Sequence, residues 1–167
     1  AIVMKDGSVI GWGNQSSGAA NLKDLTKLTN VDKVCFMQGN AVALLKDGSL
    51  WFGKAAQKFT SVTVDGASYN TEEYVAANKV KDIATTNAGI LIAFKDSNKY
   101  GTMGIISKTV AAPKLADGEN IVKIGGGISH FTITTDKNRV YAFGSNYFGE
   151  SKGFEVIEEG STVFTCS

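Results

Sequence analysis

One short phrase occurs four times in the 167 residues and constrains everything else about the chain. Lys5-Asp6-Gly7-Ser8-Val9-Ile10-Gly11-Trp12-Gly13 is echoed by Lys46-Asp47-Gly48-Ser49-Leu50-Trp51-Phe52-Gly53. Looser copies follow at Lys95-Asp96-Ser97-Asn98-Lys99-Tyr100-Gly101 and at Asp136-Lys137-Asn138-Arg139-Val140-Tyr141-Ala142-Phe143-Gly144. The four aspartates are 41, 49 and 40 residues apart. Self-similarity at such a period marks a propeller, solenoid or array and outranks local propensity.

The repeating unit reads as β-strands. An apolar stretch precedes the turn in the later copies: Ala41 to Leu45, Ile90 to Phe94, and Phe131 to Thr134. Asp6-Gly7 and Asp47-Gly48 are hairpin signals, because such turns need residues that accept positive φ. Ser97-Asn98 and Lys137-Asn138 lengthen the later turns by one residue, with Asn in the glycine's role. Further upstream lie Val31 to Met37, Val80 to Ala84 and Ile121 to Gly127. About four short strands in roughly 40 residues is the content of a propeller blade.

The motifs around these strands resemble the repeat of the regulator of chromosome condensation family. That repeat runs Gly-x-x-His, an apolar strand, Asp-Gly, then Val-Tyr-x-Trp-Gly-x-Asn-x-x-Gly. Gly127-Ile128-Ser129-His130-Phe131 and Val140-Tyr141-Ala142-Phe143-Gly144-Ser145-Asn146-Tyr147-Phe148-Gly149 are similar to it. The first copy adds Trp12-Gly13-Asn14 and Gly18, while copies two and three lack the Gly-x-Asn-x-x-Gly tail. The resemblance implies a β-propeller, although the family typically closes with more blades than this chain supplies. It also implies that His130 is a structural histidine bonded within its own blade.

The two ends complement one another. Ala1 to Met4 aligns with the strand just before a hairpin turn, and Ser161 to Ser167 aligns with the segment that opens the last blade. Together they make nearly one repeat, so the expected fold is an all-β propeller of about four blades with the C-terminal strand completing the N-terminal blade. The expected blades are 161–167 with 1–30, then 31–79, 80–120 and 121–160 of a single domain. A slice of a longer array and a ring built from two chains are the alternatives. So narrow a ring needs small inner-strand residues, which Gly125, Gly126, Gly127, Ala84, Thr85 and Thr86 supply.

Composition narrows the chemistry. With 43% hydrophobic residues and 20% charged, the chain suits one domain with a real core. A net charge of +1 gives no drive towards nucleic acid or anionic membrane, and no apolar run is long enough to span a bilayer. Arg139 is the sole arginine, so a phosphate clamp would lack its preferred residue. The bias to lysine suggests an AT-rich genome, that of a bacterium or its virus. Cys35 and Cys166 fall near equivalent inner-strand positions and read as buried thiols, a disulfide requiring Cα atoms within about 7 Å. One histidine and no Cys-x-x-Cys leave no metal site. Gly125-Gly126-Gly127 is no phosphate cradle, since no helix follows it. No catalytic residue and no cofactor are expected.

The longest spacing holds an insertion of about eight residues relative to the period. In it Asn70 followed by Glu73 has the form of a capping box, predicting a short helix. Insertions in repeat proteins gather on one face, often the binding face, making Tyr69, Glu72, Glu73 and Tyr74 the first candidate partner-binding residues. Packing of the tyrosines beneath a longer connection is the competing expectation. Tyr147 and Phe148, apolar residues in a turn, are the second candidates, with Pro113 and Asp117-Gly118 marking plain loops. The sequence therefore points to a non-catalytic binding or structural module. Its expected partner is a protein or protein lattice, held in many copies, with a decoration or surface protein of a bacterial virus particle as the concrete form. The cytoplasm and a particle surface are both open as locations. Guanine-nucleotide exchange on a small GTPase is the alternative the resemblance implies. A carbohydrate-binding propeller is the third, if Trp12 and Trp51 were exposed at equivalent points; they read as blade-core residues.

Overall fold

The computed structural model describes residues 1–13, 22–54, 56–95 and 98–145. Strands β1 (Ile2–Val3) and β2 (Val9–Ile10) form a hairpin, followed by the one-turn helix α1 (Leu22–Leu25). Strands β3 (Val31–Met37), β4 (Asn40–Leu45) and β5 (Leu50–Phe52) make an antiparallel sheet in chain order. A 3-10 turn (Ala56–Phe59), β6 (Ser61–Val64), β7 (Ala67–Asn70) and helix α2 (Thr71–Ala77) come next. The next sheet comprises β8 (Val80–Thr85), β9 (Gly89–Phe94) and β10 (Tyr100–Gly104), and the last β11 (Ile121–Gly126), β12 (His130–Thr135) and β13 (Val140–Gly144). The chain is thus all-β in its sheets, antiparallel throughout, and repeats one strand–strand–strand unit.

The repeating phrase is the joint between units. Gly7 and Gly48 turn at φ +85° and +81°, and Asn138 does the same work at +56°. The Gly7 carbonyl accepts the Val31 N–H at 2.9 Å, and the Gly48 carbonyl accepts that of Val80 at 3.0 Å, so each turn pins the first residue of the next sheet. A Cβ on Gly48 would lie 2.8 Å from Lys79 Cβ and 3.1 Å from the Val80 oxygen, leaving no room for a side chain. The aspartates secure the turns: Asp47 accepts the Ser49 amide and hydroxyl at 2.9 and 2.5 Å, bonds that hold its pKa below the usual carboxylate range. Close to its start each first strand slips register, between Val31 and Lys33, Val80 and Asp82, and Ile121 and Lys123. A bulge at the same point in three sheets bends each one alike.

The sheets stack face to face, and their burial explains the apolar runs. In β9 every residue from Gly89 to Phe94 is buried. Ile90, Ile92 and Phe94 join Val42, Leu44 and Ile83 on one side, while Leu91 and Ala93 join Ile124, Phe131, Ile133 and Phe143 on the other. A third cluster gathers Val9, Leu22, Leu25, Val31 and Ala43 around α1. First strands approach closely: a Cβ on Gly126 would collide with the Thr85 carbonyl. The inner turns are also chained, Gln38 donating to the Asn87 carbonyl at 3.1 Å and Asn87 to that of Ile128 at 2.9 Å.

Two expectations change. The 31–79 grouping put residues 61–70 with β3–β5, but β6 pairs with β10 through Thr63 and Thr102, extending the following sheet to the order β7-β6-β10-β9-β8. The reason is that β10 has a free outer edge on which β6 can continue the ladder, and the small Gly101 beneath accommodates the Val62 side chain. Trp12, read as a core residue, is 64% exposed, because β1–β2 is a sheet of only two strands among the described residues. Trp51 is half-buried against the cluster around α1. The two tryptophans therefore do not form the equivalent exposed pair that sugar binding would need.

Candidate functional site

The insertion builds a folded outwork on the second repeat sheet. Asp65 and Gly66 turn at φ +49° and +80°, the two positive values that a tight hairpin needs, and pair Ser61–Val64 with Ala67–Asn70. Ser61, Thr63 and the whole of β7 face solvent, while Val62 and Val64 enter the core. Asn70 then caps α2 as its sequence predicts, the side-chain oxygen accepting the Glu73 N–H at 3.1 Å. Thr71 and Val75 anchor the helix inward, leaving Glu72 and Glu73 exposed on its first turn, where negative charge is favoured.

The two insertion tyrosines divide the alternatives between them. Tyr74 is half-buried, edge-on to Phe94 at 5.1 Å between ring centroids, and packs under the outwork. Tyr69 lies on it at 4.7 Å and is 44% exposed. Beside them a cleft of about 590 Å³ separates α2 from β5, lined by Leu50, Phe52, Phe59, Asn70, Glu72 and Val75. The cleft has an apolar floor and carries one carboxylate, Glu72, and one ammonium, Lys79, on its lining. The structure brings Tyr69 and Tyr74 into contact, while Glu72 faces the cleft and Glu73 is exposed on the same first turn of α2. Tyr147 and Phe148, like Asn146, Cys166 and Ser161–Ser167, lie outside the described residues.

Other singled-out residues have structural surroundings. The His130 ring packs on Gly127, where a Cβ would stand 2.5 Å from it, and the His130 carbonyl closes the turn by accepting the Gly127 amide. Cys35 is a half-buried free thiol donating weakly to the Ile83 carbonyl at 3.7 Å, and burial raises its pKa.

Sequence reasoning missed a buried carboxylate. Glu119 is completely buried, its Oε1 accepting Thr135 Oγ1 at 2.5 Å and its Oε2 accepting the Ala116 amide and the Tyr141 hydroxyl, both at 2.9 Å. Arg139 stands 3.7 Å away. Burial pushes the Glu119 pKa up, but the hydrogen bonds and the guanidinium outweigh it and the net shift is downward. Both oxygens are engaged, so the group clamps the 105–120 connection onto the last sheet. The same connection is tied by the Tyr100 hydroxyl on the Pro113 carbonyl and by Val110 pairing with Gly144. The solitary arginine and the run Asp117-Gly118-Glu119 were the only signals.

Comparison with known proteins agrees with this architecture. Residues 121–150, which contain the β11–β13 sheet, match the model of the Regulator of chromosome condensation (RCC1) repeat. No curated protein matches the chain in sequence. Among solved structures, human WBSCR16 is similar with a TM-score of 0.54 at 20% identity, over 74% of this chain and 36% of that one. The CRINKLY WD40 ectodomain of the Arabidopsis thaliana receptor kinase ACR4 gives a TM-score of 0.46 at 12% identity, over 69% and 36%. The chain therefore spans 36% of the length of either structure. The fold is propeller-like, and within it residues 121–150 match the regulator of chromosome condensation repeat.

Proposed function

We propose that this chain is a non-catalytic interaction module that docks on a larger protein assembly through the outwork of the second repeat sheet. The observation that carries the reading is the outwork itself, which exposes Tyr69 on β7 and Glu72 and Glu73 on the first turn of α2, with a cleft on the Glu72 side. One small element thus carries an accessible aromatic ring, exposed carboxylates and a cleft with an apolar floor, features used at protein interfaces. The most concrete form of the proposal is a decoration or surface protein of a viral particle, displayed in many copies. The architecture that goes with it is a four-bladed ring in which residues 161–167 complete the blade begun by β1 and β2. The exposure of Ile2 and Ile10, at 49% and 52%, supports that closure, since this hairpin has apolar surface to cover.

Sedimentation of the native chain in its source material, with mass spectrometry of whatever travels with it, tests the function. Co-migration with a large particle, lost on combining Tyr69→Ala with Glu72→Lys, is the expected result; migration as a free monomer or dimer contradicts it. Closure is tested separately. Deleting residues 161–167 is expected to lower the melting temperature, and an unchanged melt contradicts the ring.

A further inference from the structure

A second concavity lies on another side of the same sheet, and its chemistry differs from that of the α2 cleft. It has a volume of about 1150 Å³ and runs between the β3–β4 turn, the outer strands β6 and β10, and the start of the 105–120 connection. Phe59 and Met103 are buried in its floor, and Ile105 stands 77% exposed on its wall. Two exposed lysines, Lys58 and Lys108, line it, and neither has an ion-pair partner among the described residues. Among the described residues no aspartate or glutamate lines it.

Asn40 belongs to the same wall and is 3% exposed, yet both polar atoms of its amide lack a hydrogen-bond partner among the described residues. A buried amide left unpaired at donor and acceptor together costs stability, and such a group calls for a reason. Its position sharpens the question. Asn40 follows its inner turn where His130 follows the last one and Gly89 the middle one. At Gly89 the Thr86 hydroxyl accepts the turn amide at 2.9 Å, so the polar requirement is met locally there.

From this conjunction the geometry points to a peptide-binding groove that takes an extended acidic–apolar segment of a protein partner. The inference rests on the reading of the chain as a protein-interaction module, but uses a different surface. A side-chain amide offers one acceptor and one donor group, the complement of a main-chain N–H and C=O. The amide is closed off in the unbound state, so the segment draws it out into the groove as it seats. Carboxylates of the segment meet Lys58 and Lys108, and its apolar side chains cover Ile105 and Met103. The lysines give selectivity and encounter rate, and the apolar wall gives the desolvated contact.

The test selects binders from a displayed random-peptide library on the full chain, then measures one enriched peptide by fluorescence anisotropy. Acidic side chains alternating with apolar ones are expected to be enriched. Affinity should fall about tenfold or more in the combined Lys58→Glu, Lys108→Glu variant and again in Asn40→Leu. Asn40→Leu removes an unpaired buried amide, so its melting temperature should hold or rise; the lysine variant, changed only at exposed positions, guards against misfolding of the other. Enrichment of uncharged or basic peptides, or acidic binders indifferent to both variants, overturns the proposal. Binding that appears only after residues 146–167 are removed makes the chain's own end the occupant and also overturns it. A native partner lost with Tyr69→Ala, while selected peptides ignore the groove variants, removes this inference and leaves the α2 surface standing.

Discussion

The β1–β2 hairpin and the β12–β13 hairpin are written in nearly the same phrase and have opposite surroundings. Ile2 pairs with Ile10 two residues before its turn begins, as Ile133 pairs with Tyr141. Ile133 is fully buried, and so are its counterparts Ala43 and Ile92, whereas Ile2 is 49% exposed. Trp12 and Phe143 stand before corresponding glycines at 64% and 0% exposure. What separates them is not local sequence but a third strand in the sheet and the β8–β10 sheet packed against it. A repeat unit cannot bury its own apolar face, and its stability is largely lent by its neighbours.

The strongest way to break the comparison is to empty the shared position where it is packed. Ile92→Ala and Ile133→Ala are each expected to cost about 2–5 kcal/mol by denaturant titration, the range of a deleted aliphatic side chain in a closed core. A loss near zero for either would mean that stacking of the sheets is not what stabilises the units. Next comes the contact that sets the spacing of the sheets. Gly126→Ala places a methyl group against the Thr85 carbonyl and should destabilise by about 1–3 kcal/mol, read from the same titration.

The clamp on the last sheet makes stability pH-dependent through a buried carboxylate, whereas the lowered carboxyl of the first hairpin, Asp6 bonded by Ser8, is exposed. The folded-state pKa of Glu119 is lowered, so the unfolded chain takes up that proton first as pH falls. The stability it contributes is present above the ordinary glutamate range and is lost as pH drops from there through the lowered value. Glu119→Gln should flatten this part of the stability–pH curve. An identical slope in the variant would assign the acid sensitivity elsewhere.

The smallest effect belongs to the exposed copy. In a chain shortened by residues 161–167, Ile2→Ala should cost under about 1 kcal/mol, while Ile133→Ala keeps its full loss. If the same Ile2 substitution costs markedly more in the intact chain, the two changes are coupled, as ring closure by the tail requires.

What could be read from residue order was whatever the backbone enforces locally. Asp-Gly and Asn turns demand positive φ, Asn70 with Glu73 announces a capped helix, and Gly126 marks a place where strands touch. The alternation Ser61-Val62-Thr63-Val64 is a strand pattern, but no rule of spacing tells that strand to pair with β10 across a later part of the chain. Tyr69 and Tyr74 could be named as a pair, while the division of labour between them follows from Phe94 arriving beneath Tyr74. Glu119, Arg139, Thr135 and Tyr141 share no motif, and only the winding of the 105–120 connection gathers them. The groove holding Asn40 was hidden for the same reason, since its walls come from widely separated turns.

The central claim, that the outwork meets a protein partner, is tested most directly by photo-crosslinking in native source material. A photoreactive residue would be placed at Glu72 in one chain and at the exposed Lys123 of β11 in another. The account predicts a discrete protein adduct from position 72 and none from position 123. An adduct from position 123 with none from position 72 would contradict it.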